Sequence, residues 1–60
     1  MRVITEHTYG SHIFMRLELD SGEIAEIDVM LRSTGEYYET SADDDEKRRL
    51  EIIDAFNQLY

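Results

Sequence analysis

The sequence predicts an α+β fold in which an antiparallel β-meander of three to four strands packs on one C-terminal α-helix, as a single ββββα domain over residues 1–60. Two observations indicate the meander: apolar residues alternate with polar ones along much of the first forty residues, and each of the three glycines falls between such runs. A third observation indicates the helix, because apolar residues near the end of the chain recur at steps of three and four. Period-2 alternation is typical of half-buried strands, and the longer period is typical of an amphipathic helix.

The central hairpin is the most strongly patterned part of the chain. Odd positions are apolar over residues 13–19 and again over residues 25–31. Residues directly opposite each other in a ladder share a face, so odd positions must pair with odd positions. A three-residue loop over residues 20–22, a type I turn followed by a left-handed glycine that forms a G1 bulge, meets this condition by setting Leu19 opposite Glu23. We therefore expect the turn at Gly22, with Leu17 opposite Ala25 and Arg16 opposite Glu26.

The first strand is expected over the β-branched opening segment, with its hairpin turn at Gly10. The same bulged-loop register predicts Thr5 opposite Ile13, Val3 opposite Met15, Ile4 opposite Phe14 and Glu6 opposite His12. This register would extend the odd, core-facing side of the sheet across the first strand.

The fourth strand and the helix complete the chain. Gly35 marks a third turn, and residues 36–40 read as a short fourth strand. Thr40 or Ser41 is expected to cap the helix N-terminus, with Asp43 or Asp44 three residues on as in a capping box. The helix should run to the chain end and lie across the odd face of the sheet. Its apolar stripe is predicted to comprise Leu50, Ile53, Phe56 and Leu59 or Tyr60, with Ile52 and Ala55 beside them.

Composition limits the classes of partner. The 60 residues include fourteen acidic and six basic side chains, for a net charge of −8. Nucleic acid and anionic membranes are bound through basic patches, so we expect neither as a direct ligand. A protein with a basic surface is the expected partner, because charge of this size steers encounter. The chain contains no cysteine, no signal-peptide pattern and no apolar run of membrane-spanning length, which predicts a soluble, cytoplasmic protein.

No catalytic motif accompanies this charge. The chain lacks a P-loop, a dinucleotide-binding fingerprint, a Gly-x-Ser-x-Gly elbow and any Cys/His pairing. His7 and His12 flank the first turn, but zinc sites usually need three or four convergent ligands. The acidic run over residues 43–46 lacks the glycine and the spaced oxygen ligands of a calcium loop. We expect no enzyme activity, no cofactor and no metal.

The even face of the sheet suggests an interface. Four large apolar residues fall there among charged ones, and a contiguous exposed apolar patch usually marks a contact surface. Single exposed apolar residues are common, so ordinary scatter is the alternative. The predicted interface, with a second copy or with a partner, comprises Ile4, Phe14, Ile24 and Met30.

Two stretches carry acidic residues and no basic ones. The first, over residues 18–28, surrounds the central turn, and the second, over residues 36–46, spans the fourth strand and the helix start. Carboxylates on a small rigid frame can imitate backbone phosphates, so that a basic groove for nucleic acid binds this DNA mimic instead. The alternative is that the charge only keeps the protein soluble. The predicted acidic contact residues are Glu18, Asp20, Glu23, Glu26, Asp28, Glu36, Glu39, Asp43, Asp44, Asp45 and Glu46.

The stretch from Phe14 to Phe56 resembles the small acidic inhibitor proteins of phages, anti-CRISPR proteins in particular. The matching stretch ends in Tyr37-Tyr38-Glu39-Thr40-Ser41 and the helix with Ile52-Ile53-Asp54-Ala55-Phe56. The shared features are an antiparallel meander with glycine turns, a capped helix directly after the last strand, small size and acidity. The resemblance implies a protein in the host cytoplasm that binds a Cas effector stoichiometrically, without catalysis, at a nucleic-acid-binding surface.

The sequence thus leads to two functional hypotheses. The first is a phage or mobile-element inhibitor that occludes a basic nucleic-acid-binding surface of a host defence effector. The second is a small structural, assembly or antitoxin-like interaction protein whose acidity is an adaptation to high salt. A homodimer is one form that such a protein could take.

Overall fold

In a computed structural model that describes residues 1–60, four antiparallel strands form one sheet in the order β1-β2-β3-β4, followed by a single helix. This arrangement confirms the predicted α+β meander with one C-terminal helix. The elements are β1 (Arg2–Tyr9), β2 (His12–Glu18), β3 (Ile24–Arg32), β4 (Gly35–Thr40) and α1 (Glu46–Leu59).

The central hairpin between β2 and β3 has the predicted register. Leu17 lies opposite Ala25 and Arg16 lies opposite Glu26. The Leu19 N–H donates to the Glu23 carbonyl at 2.8 Å, and the Gly22 N–H donates to the Leu19 carbonyl at 2.8 Å. Gly22 has φ +90°, the left-handed conformation that a G1 bulge requires. The odd residues of both strands therefore share one face.

The first hairpin has a different register from the predicted one. Tyr9 pairs with His12, which leaves a two-residue loop of Gly10 and Ser11. Gly10 has φ +58° and occupies the first loop position, where a type II′ turn prefers glycine. Beyond the loop, Thr8 lies opposite Ile13.

This shift overturns the predicted β1 pairs. Thr5 lies opposite Arg16 rather than Ile13, and Glu6 lies opposite Met15 rather than His12. A bulge at Ile4 then brings Val3 opposite Leu17 rather than Met15. Residues 5–9 carry no alternating apolar pattern, so nothing in the sequence resists a three-residue slip of this strand. Gly10 therefore predicted where the first turn lies, but it did not predict how many residues the loop contains.

The helix begins later than predicted. Asp45 is its N-cap, and the Asp45 carboxylate accepts a hydrogen bond from the Arg48 N–H at 3.3 Å. Ser41, one of the two predicted caps, instead extends the sheet: its N–H donates to the Glu26 carbonyl at 3.0 Å, and its hydroxyl accepts from the Glu26 N–H at 3.0 Å. The other, Thr40, ends β4 and bonds to Asp43. Both predicted caps were wrong because Ser41 bonds to β3 and Thr40 bonds to Asp43 in the turn before the helix.

The core lies between α1 and the odd face of β2 and β3. Its buried members are Met15, Leu17, Ala25, Ile27, Val29, Ile52 and Phe56. The helix therefore turns Ile52 and Phe56 inward, while Leu50 is 52% exposed and Leu59 is 42% exposed. At about 100° per residue, Leu50 lies roughly 160° around the helix from Ile52, so both cannot face the sheet. The predicted stripe was wrong at Leu50 because apolar residues occur around most of the helix.

The helix lies over β3 and β4, and it leaves the core side of β1 uncovered. Val3 on β1 is 38% exposed although it faces the core side, and Leu31 at the end of β3 is 46% exposed. Tyr38 of β4 extends the core instead, with its ring edge-on to Phe56 at a centroid distance of 6.3 Å.

Replacing Gly22 with alanine should lower the free energy of unfolding by roughly 1–2 kcal/mol, the cost of a left-handed conformation for a residue with a Cβ atom. No atom lies within 4 Å of the position that this Cβ would occupy, so the loss would come from the backbone alone. Urea denaturation followed by circular dichroism measures it. Ser21→Ala in the same loop is the control and should change stability by less than about 0.5 kcal/mol. Equal stability of Gly22→Ala and the wild type would contradict the G1 bulge.

Candidate protein-binding surfaces

The carboxylates around the central turn each meet a basic group that the fold brings from elsewhere. Arg16 Nη2 lies 2.7 Å from Glu26 Oε2, and His12 Nδ1 lies 3.2 Å from Asp28 Oδ1. Sequence reasoning found the pairing of Arg16 with Glu26, because the β2–β3 register predicts it. The remaining pairs join Glu18 to Arg2, Asp20 to the N-terminal amine and Glu23 to Arg48.

An acidic stretch of sequence is therefore not an acidic surface here. The N-terminus, β1, β2 and α1 supply the opposite charges, from positions outside the acid-only stretch. Any partner that binds these carboxylates must compete with ion pairs already made within the chain. Their role in binding stays a prediction.

The second acidic stretch is different. We use the name acidic corner for Glu39 and residues 43–46, which lie where β4 ends and α1 begins. Only Asp43 of this set has a basic side chain within 4.0 Å of its carboxylate, and that partner is Arg49 at 3.4 Å. Glu36, at the other end of β4, accepts a hydrogen bond from the Tyr38 hydroxyl, and this bond raises the pKa of Tyr38. The acidic corner is thus the part of the predicted acidic set that keeps most of its charge unmatched.

Asp43 holds the acidic corner in shape. Its Oδ1 accepts from the Thr40 hydroxyl at 2.8 Å and from the Thr40 N–H at 2.9 Å. These two hydrogen bonds, assisted by the charge of Arg49, lower the pKa of Asp43 below its usual 3.8. The carboxylate therefore ties the end of β4 to the turn that precedes the helix.

The predicted apolar set does not form one patch. Phe14 lies opposite His7 rather than Ile4, and Ile4 occupies the bulge. Ile24 lies opposite Glu18, four positions along β3 from the partner of Phe14. At about 3.3 Å per residue this separates Ile24 from Phe14 by on the order of 13 Å along the sheet.

Three residues that share a row with Met30 were not predicted from the sequence as part of this surface. Tyr9 pairs with His12, His12 with Met30, and Met30 with Tyr37, so these four residues form one row across all four strands. We call them the aromatic row. Tyr9 was missed because of the register error in β1, and Tyr37 because the sequence set no register for β4.

The aromatic row is ordered by contacts between its members and their neighbours. The Tyr9 and His12 rings stack with centroids 5.6 Å apart and planes at 7°. The Arg32 guanidinium carbon lies 5.2 Å from the Tyr37 ring centroid. Tyr9 is nevertheless 54% exposed and Tyr37 is 48% exposed, so a large aromatic area faces solvent.

The two histidines have separate surroundings. His12 bonds to Asp28 and stacks on Tyr9, while His7 lies one row further along the sheet. No three histidine or acidic side chains lie together in a geometry that could hold a metal ion.

The fold and these surfaces define a small α+β domain with one acidic and one aromatic surface. No helix of the structure has both the length and the apolar character needed to cross a membrane. Comparison of the chain with protein-family models, with curated proteins and with solved structures finds no match.

Replacing Thr40 with valine should raise the pKa of Asp43 toward its usual value, because the variant keeps the N–H donor but loses the hydroxyl donor. Carboxyl-carbon NMR over a pH titration measures this shift. A carboxylate whose pKa is lowered by folding contributes stability that is present above its unfolded pKa and is lost as the pH falls through the folded pKa. The wild type should therefore lose more stability than Thr40→Val on acidification below about pH 4. The same change at Thr8, remote from Asp43, is the control, and an unchanged Asp43 pKa in Thr40→Val would contradict the assignment.

Proposed function

We propose that this protein is a small acidic inhibitor of the anti-CRISPR kind, which binds a basic nucleic-acid-binding surface of a host defence effector and occludes it stoichiometrically. The observation that carries the proposal is the acidic corner, where only one of five carboxylates has a basic partner, in a chain of net charge −8. The resemblance of the sequence to phage-encoded inhibitors supports it. Catalysis has no part in the proposed mechanism.

Fixed geometry suits the acidic corner to a groove built for phosphates. Its residues lie on the end of a strand, a hydrogen-bonded turn and the first turn of a helix. Each strand of duplex DNA carries about one charge per 3.4 Å of axis, and a lysine- or arginine-lined groove follows that spacing. Carboxylates held on a rigid frame lose little entropy on meeting such a groove.

The helix dipole does not cancel this charge. A helix N-terminus carries roughly half a positive charge, which Asp45 and Glu46 at the first turn offset. Glu39 and Asp44 have no such compensation and no ion pair. A net negative potential therefore remains to attract a basic partner.

The carboxylates of the central turn rank second in the proposal. Glu23 and Glu26 would exchange Arg48 and Arg16 for arginines of the partner. Exposed ion pairs are worth about 0–1 kcal/mol, so such an exchange gives little net affinity. Charge reversal at these positions would also place lysine against arginine and disturb the fold, which makes them poor sites for a test.

The second hypothesis, a small assembly or antitoxin-like interaction protein, is favoured by the exposed aromatic row. If the acidity is an adaptation to a high-salt environment, the protein should fold only at high salt. If the acidity serves a partner, the protein should fold at low salt and the complex should dissociate as salt screens the charges.

The acidic corner can be tested by charge reversal with a matched control. Glu39→Lys/Asp44→Lys/Glu46→Lys changes three carboxylates that make no ion pair, and Glu6→Lys/Glu51→Lys/Asp54→Lys makes the same change in net charge at unpaired sites elsewhere. The measurement is guided DNA cleavage by a panel of Cas effectors, one of each type, with the purified protein in molar excess. The wild type should inhibit at least one effector at low salt. The corner variant should inhibit it at least ~100-fold less well, at about 1 kcal/mol per lost contact, and the control should stay within about tenfold of the wild type.

Two results would contradict the proposal. One is the absence of inhibition in the whole panel, together with no nucleic-acid-binding protein retained from bacterial lysate at low salt. The other is equal loss of inhibition in the corner variant and in its control, which would leave net charge alone as the cause.

A further inference from the structure

The outer sheet face, the side of the sheet opposite the helix, combines exposed aromatic area with nearly balanced charge. The aromatic row crosses one end of it, and Phe14 lies in the next row between His7 and Asp28. No element of the chain covers this face, since the helix packs on the other side. We propose that it is the seam of a symmetric homodimer, in which the aromatic rows of two copies pack against each other.

Charge on the outer sheet face favours a second copy over a basic partner. The face carries three arginines, namely Arg2, Arg16 and Arg32, and four acidic residues, namely Glu18, Glu26, Asp28 and Glu39. Its net charge of −1 leaves −7 of the total −8 on the rest of the molecule. Two copies can therefore meet through this face with little repulsion, whereas a basic protein is drawn to the other surfaces.

Ion pairs within the face are compatible with two-fold symmetry. Arg16 and Glu26 lie side by side with their charged groups 2.7 Å apart, so each can face the opposite charge of the second copy. In a symmetric interface the same patch must complement itself, and alternating signs around an aromatic centre meet that requirement. Tyrosine is among the residues enriched in such contacts, because its ring is large and rigid and its hydroxyl tolerates water.

The size of the face predicts a reversible dimer. Four strands at about 4.8 Å spacing, each about 25 Å long, present on the order of 500 Å² per copy. Two copies would bury about 1,000 Å², the lower end for a specific interface. An interface of this size is typical of weak, reversible association. Burial of the row would add apolar contact to a chain with seven buried residues.

Sedimentation equilibrium tests the seam. The wild type should rise from the monomer mass of 7.1 kDa toward twice that value between about 5 and 500 μM. Tyr9→Thr/Tyr37→Thr removes the two most exposed rings of the row and keeps β-forming residues, so it should fold and stay monomeric over this range. Leu50→Gln/Leu59→Gln removes exposed apolar area from the helix instead and should dimerise like the wild type. Circular dichroism verifies that each variant folds. If the double variant unfolds, the single Tyr37→Thr variant replaces it, and its dimerisation should be weakened at least tenfold.

The dimer and the proposed inhibition respond oppositely to salt, which keeps the two tests apart. Screening of the like charges should leave the dimer intact or stronger at about 1 M salt, while binding of a basic partner should weaken. A wild type that remains monomeric at 500 μM would overturn the proposal. So would a dimer that survives in Tyr9→Thr/Tyr37→Thr and is lost in Leu50→Gln/Leu59→Gln, because the seam would then lie on the helix.

Discussion

The register of the β2–β3 hairpin is the constraint on which the rest of the structure depends. The G1 bulge at Gly22 sets Leu17 opposite Ala25, and this pairing places every odd residue of the two strands on one face. A slip of one residue would move that whole set to solvent. Ile52 and Phe56 of the helix have a core to pack against only because the turn fixes this alignment. The apolar pattern and the turn chemistry select the same register, which is what makes a small domain specify one fold.

Folding redistributes the charge of this chain in a way that the order of residues does not reveal. The carboxylates around Gly22 form an acid-only run in sequence, yet Arg16 and Arg48 approach two of them from other elements. Charge left unmatched then concentrates at the acidic corner, where the chain leaves the sheet and enters the helix. One small domain thereby presents an acidic corner and, on the face of its sheet opposite the helix, a nearly neutral aromatic surface, with Glu39 belonging to both. Two surfaces of such different character suit two different partners.

Elements whose apolar pattern allows one alignment were predictable from the sequence, and elements without such a pattern were not. The strand order, the central register and the pairing of Arg16 with Glu26 could be predicted, because two long alternating runs allow only one alignment. The β1 register could not, since residues 5–9 have no apolar pattern and the bulge at Ile4 changes the pairing by a further residue. The same error hid Tyr9 and so concealed most of the aromatic row.

The helix shows a related limit. Thr40, Ser41 and Asp45 are all good capping residues, and local pattern cannot rank them. Thr40 bonds to Asp43 and Ser41 bonds to Glu26, so neither caps the helix, and Asp45 is the N-cap. Apolar residues around most of the helix likewise left the buried side to be decided by packing, which selected Ile52 over Leu50.

Among the predicted contact residues, the carboxylates free of ion pairs lie mainly at the acidic corner rather than around the central turn. A direct measurement is to titrate the isotope-labelled protein with a short oligo-lysine peptide at low salt and record amide chemical shifts. We expect the largest shift changes at Glu39 and residues 43–46, with small changes over residues 18–28, and reversal of both by salt. Larger changes over residues 18–28 would contradict it, because they would show that a basic partner displaces Arg16 and Arg48 from their ion pairs.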